Sequence, residues 1–116
     1  MQLGSLYPFS RNHNENESIP QEPWVFGQKL LNTAQISLQQ RYSLLKQMYT
    51  TLINLNGVGS FYRPIFFEFF DDSLAFNEEF VESQFLIGNY LMGTPIVHEY
   101  TENRKVYFPG DDELWY

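Results

Sequence analysis

The chain has 116 residues, enough for one small domain, and a formal net charge of −7. Hydrophobic residues make up 43% and aromatic residues 18%, including eleven Phe and eight Tyr, which is too apolar for a disordered segment. The negative balance argues against nucleic acid, whose phosphates need clustered Lys and Arg, and the absence of cysteine excludes disulfides and thiolate metal sites.

The first segment, residues 1–26, joins an apolar start to the polar run Tyr7-Pro-Phe-Ser-Arg-Asn-His-Asn-Glu-Asn-Glu17. It lacks the basic start and long apolar core of a signal peptide. Asn16-Glu17-Ser18 fits the glycosylation triplet, which has meaning only in an exported chain. On composition alone His13 is a stray histidine in a polar loop. Pro20 and Pro23 forbid regular structure between them, and Trp24 and Phe26 are expected to fold back onto a core.

The second segment carries the clearest pattern. Leu31, Ala34, Leu38, Tyr42, Leu45, Tyr49 and Leu52 recur at steps of three and four, which predicts an amphipathic helix from about Gln28 to Leu55. The stretch Asn-Leu-Asn-Gly-Val-Gly ends it, with Gly57 or Gly59 free to take a left-handed cap.

The third segment is Ile65–Phe70, almost wholly apolar around Glu68. It reads as a strand covered on both faces, followed by a loop from Asp71 and Asp72. A carboxylate inside such a strand needs a partner, and Arg63 is the nearest base. Between Arg63 and Arg104 there is no Lys or Arg, and the acids of this stretch read as a solvated loop.

The fourth segment, from Phe80 to Tyr116, holds two stretches that read as short strands broken by Gly and Pro, Ser83–Val97 and Arg104–Gly110. His98 has no partner motif and is assigned no role. No apolar run approaches the roughly 20 residues of a membrane helix. A lone buried strand cannot form a sheet, and an ending on Leu-Trp-Tyr is apolar. The chain is therefore expected to be a piece of something larger, exposing apolar faces when alone.

Six stretches in order, MQLGSLYPFSRNHN, QEPW, RYSLLKQMYT, RPIFFEF, QFLIGNYLMGTPIV and VYFPGDDELWY, resemble glycoside hydrolase family 31, the family of the α-glucosidases. The resemblance covers essentially the whole chain. It implies an α/β fold: the last strands and helix of a (β/α)8 barrel in residues 1–76, followed by the first strands of a β-sandwich in residues 77–116. Residues 1 to about 14 would hold the seventh barrel strand and its loop, the long helix would belong to the outer ring, and Arg63–Phe69 would be the eighth strand. Met1 would then be an internal methionine.

The same resemblance implies a retaining α-glucosidase acting on an oligosaccharide, with no cofactor and no metal site. Retaining glycosidases need two carboxylates about 5–5.5 Å apart. The family's two catalytic aspartates lie upstream of its Met-Gln-Leu-Gly stretch, so no catalytic residue is expected here, and the chain alone should be inactive. Asp71-Asp72 and Asp111-Asp112 are neighbours that point opposite ways on an extended chain, and they read as turn acids. His13 matches a histidine that lines the −1 sugar subsite, where an imidazole nitrogen can donate to a glucose hydroxyl. Arg11 either pairs with a site carboxylate or, as favoured here, braces the loop through backbone carbonyls. Asn12 and Asn14 hold loop geometry, and Phe9 and Trp24 could stack on sugar, with packing in a core as the default expectation. Two departures from the family pattern stand out: Lys46 replaces a helix proline, and Phe70 replaces a strand-ending proline. The alternative reading is a non-catalytic carbohydrate-binding or protein-interaction module. Compartment is open: lysosome, endoplasmic reticulum and extracellular space all suit the family.

Overall fold

A computed structural model describes all 116 residues, and the chain divides into two compact units, residues 1–48 and 49–116. The elements in order are α1 (Gln2–Leu6), a 3₁₀ turn (Pro23–Phe26), α2 (Gln28–Leu55), β1 (Tyr62–Arg63), 3₁₀ turns at Ile65–Phe67 and Ser73–Phe76, α3 (Glu78–Val81), β2 (Phe85–Ile87) and β3 (Leu91–Gly93).

The long helix has the bounds that the periodicity predicts. Its buried stripe is different. Ala34, Ser37 and Met48 are buried, with Leu30, Arg41, Leu44, Thr51 and Leu55 half-buried along the same line. The expected stripe lies one residue, or about 100°, around the helix. Apart from Ala34 and half-buried Leu31 it is exposed: Tyr42 is 72% accessible and Tyr49 68%. Lys46, where the family has proline, leaves the helix unbroken over 28 residues. At its end Asn56, Gly57 and Gly59 all take positive φ, so the cap spreads over three residues.

Two expected strands are corrected. Residues 1–14 contain α1 and a loop, not a barrel strand; Ser5 donates its N–H to Met1 O and its hydroxyl to Gln2 O, closing a helical turn. After β1, the Ile65–Phe67 stretch winds into a 3₁₀ turn whose first bond runs from Phe67 N–H to Pro64 O. A strand buried on both faces needs neighbours on both sides, and β1 has β2 alone. Ile65 is nonetheless fully buried, so the segment is a core element in a different conformation.

In the second unit β1, β2 and β3 form an antiparallel meander in that order. Gly88, at φ +56°, turns the chain between β2 and β3. Phe85 stands opposite Gly93, and the ring occupies the space a β-carbon at 93 would fill. Arg104–Gly110 forms no strand, which corrects the third expectation. Buried Gln84 takes the place of a neighbouring strand: its amide accepts from Tyr107 N–H and donates to Tyr107 O, both at 2.8 Å. One side chain thus satisfies both backbone groups, and no ladder is required. The core of this unit is Phe61, Ile65, Ala75, Leu86 and Ile87. No helix is long and apolar enough to cross a membrane.

Candidate functional site

The loop after α1 carries the residues singled out by the sequence. His13 is exposed and lies between two asparagines that hold the loop. Asn12 Nδ2 donates to Gln21 O at 2.8 Å, and Asn14 Nδ2 donates to Ile19 O at 2.6 Å. They act through side-chain amides and not through unusual backbone angles, since neither has positive φ. The imidazole of His13 forms no hydrogen bond within the chain, which leaves both ring nitrogens open to a hydroxyl.

Arg11 sits with its guanidinium 5.7 Å from the centroid of the Phe9 ring, a cation–π contact at the surface. Phe9 is 76% accessible and Trp24 66%, so the core-packing expectation for both rings, and for Phe26, is corrected. The bracing of backbone carbonyls falls to a residue the sequence reading passed over. Arg41, on the packed side of α2, donates from Nη1 to Ser5 O at 3.0 Å and to Tyr7 O, and from Nη2 to Pro8 O at 2.9 Å. A planar guanidinium spreads its donors over a rigid fork that spans several carbonyls of one turn, which a compact ammonium matches less well. The available signal was an arginine on a helix stripe otherwise made of small or apolar residues.

Two acids of the second unit, Asp72 and Glu68, are occupied in structure. Asp72 caps the Ser73–Phe76 turn, accepting from Leu74 N–H at 2.9 Å, and its other oxygen accepts from the Tyr107 hydroxyl. That hydrogen bond, with burial and the negative charges of Asp72 and Asp111, pushes the Tyr107 phenol up to about 12 from its ordinary 10.0. Asp111 and Asp112 are exposed turn residues. Glu68 Oε1 lies 2.7 Å from Arg63 Nε, the expected partner. The Nε–H is not aligned with that oxygen, so the contact is an ion pair without a hydrogen bond. No group of three or more potential ligands is arranged to hold a metal ion. His98 is exposed beside Pro95 and Arg104 in a small surface pocket.

Comparison with known proteins gives a consistent picture. Residues 1–51 match the glycosyl hydrolases family 31 TIM-barrel domain, and residues 59–116 match the family 31 C-terminal domain. The chain is 49% identical over 100 residues to lysosomal acid alpha-glucosidase of Tetrahymena pyriformis, covering 84% of this chain and 10% of that protein. It is 38% identical over its whole length to intestinal sucrase-isomaltase of Rattus norvegicus, covering 6% of that protein. It is 36% identical over its whole length to glucoamylase 1 of Candida albicans, covering 12% of it. No solved structure matches the chain. The chain therefore spans between 6% and 12% of the length of these relatives. With both of its halves matched in order to consecutive domains of one family, the chain belongs to glycosyl hydrolase family 31.

Proposed function

We propose that this chain is a segment of a retaining α-glucosidase and that it supplies His13 to the site that holds the terminal glucose. The reading is supported by one observation above the rest. His13 is exposed with both ring nitrogens unused, on a loop whose neighbours Asn12 and Asn14 are pinned. Such an imidazole is placed to hydrogen-bond a sugar hydroxyl without first breaking a bond of its own. Arg11 and Phe9 stand beside it as a supporting pair, the ring offering an apolar face and the guanidinium a cation. The reacting carboxylates belong to other parts of the enzyme, since Asp72 is committed to a cap and a tyrosine. The barrel portion is taken as residues 1–76 and the sandwich portion as 77–116, a boundary that falls where Asn77 caps α3.

The test is a titration of the full chain with maltose, followed by the imidazole proton resonances of His13. A saturable shift of those resonances is expected, with the maltose response of the neighbouring amides lost in His13→Ala. Resonances of His13 that stay fixed while other residues respond would remove it from the sugar site.

A further inference from the structure

A groove of about 790 Å³ opens on the second unit, away from the loop that carries His13 in sequence and lined entirely by residues 63–116. This volume lies within the range of small-ligand sites. We propose that it is a second carbohydrate-binding site, one that takes a short neutral oligosaccharide and does no chemistry on it.

Its lining has the two kinds of surface that a sugar presents. One wall is aromatic. Phe108, 57% accessible, packs against Trp115 with ring centroids 5.8 Å apart, and the indole Nε1 donates to Pro109 O at 3.0 Å. Both ring planes are thereby fixed before a ligand arrives. Tyr90, in the β2–β3 turn, contributes a third ring that is 78% accessible. Large rings held open to water lose hydration cost when the C–H face of a pyranose covers them.

The other surface is polar and largely pre-set. Arg63 is only 13% exposed, and it ties four groups together, Nη1 donating to Ser60 O at 3.3 Å. Its Nη2 donates to Gly88 O at 2.8 Å and more weakly to Asn89 Oδ1 at 3.4 Å, while its Nε side faces Glu68 Oε1 at 2.7 Å. Glu68 is 48% exposed, so its carboxylate is held at one end and open at the other. It can accept from sugar hydroxyls, and the Asn89 amide can donate to them.

Charge selects among ligands. Arg63 is spent on carbonyls and Glu68, and Glu113 adds a second carboxylate to the lining. A phosphate or carboxylate ligand would meet two like charges and no free cation. A neutral polyol meets acceptors and donors without that penalty.

The experiment is calorimetric titration of the full chain with maltotriose, mapped by amide NMR. Saturable binding with shifts centred on Asn89, Tyr90 and Phe108 is expected. Tyr90→Ala, at an exposed position where folding is not at risk, and Glu68→Gln should each weaken binding about tenfold. Shifts at residues 9–14 report the His13 loop and are fitted apart from those at Asn89, Tyr90 and Phe108, so failure at one site is distinguished from failure at the other. Shifts confined to residues 9–14, no saturable binding, or full affinity in both groove variants would each overturn the proposal.

Discussion

Replacing Arg41 by Met tests what holds the His13 loop in place. Arg and Met have similar helix propensity and similar stem length, so α2 itself should be undisturbed. What is lost is a set of three hydrogen bonds to Ser5 O, Tyr7 O and Pro8 O. Hydrogen bonds to a charged group contribute about 1.5–3 kcal/mol when enclosed and about 1 kcal/mol when wet. Two of the three are at exposed positions, and bonds from one side chain are not additive. A total of roughly 2–3 kcal/mol follows, which speeds local opening roughly 30- to 150-fold. Hydrogen exchange reads this directly at the amides of Ser5 and Tyr7, which are bonded to Met1 O and Gly4 O. Arg41→Lys should fall between, because a compact ammonium on a flexible stem reaches fewer of the three carbonyls at good geometry than the planar fork does. If exchange at Ser5 and Tyr7 accelerates less than about threefold while α2 stays intact, Arg41 is not what anchors the loop.

Two further outcomes are expected in the second unit. Tyr107 stays protonated to about pH 12 in the folded chain, against 10.0 for a free phenol. The folded state therefore holds its proton more tightly, a contribution that is whole below pH 10.0 and is lost as pH rises through about 12. Denaturant midpoints followed across that window should fall, and Tyr107→Phe should flatten this part of the fall; an unchanged slope would exclude the Tyr107–Asp72 bond as its source. Gln84→Leu keeps the volume but leaves the N–H and C=O of Tyr107 without partners, at a cost of about 2–4 kcal/mol in equilibrium unfolding. A loss under about 1 kcal/mol would mean that water or another group satisfies Tyr107.

Much of the architecture was legible where local rules suffice. The step-three and step-four pattern located α2 to the residue, Gly and Asn marked its end, and short strands on either side of Gly88 followed from apolar runs broken by glycine, though not their pairing. The buried face of α2 was not legible, because ranking by hydrophobicity favours Tyr42 and Tyr49 over Ser37 and Arg41. The chain instead buries Ser37 and half-buries Arg41: Ser37 is small, and Arg41 finds carbonyl acceptors that no periodicity reveals. Ile65–Phe70 misled for a related reason, since apolar content reports burial and not backbone conformation. At the candidate site, the loop, its histidine and its asparagines could be named from the sequence, but the clamp came from 33 to 36 residues away.

At position 107 the Gln84 amide contacts the main chain alone, its one other contact being Nε2 donating to Met92 Sδ at 3.3 Å. The segment it holds is therefore indifferent to which residues flank position 107. Val106 and Phe108 can drift in identity while the docking of their backbone is kept. A wall of the groove is thus free to vary in shape under selection, on an attachment point that does not need to change with it.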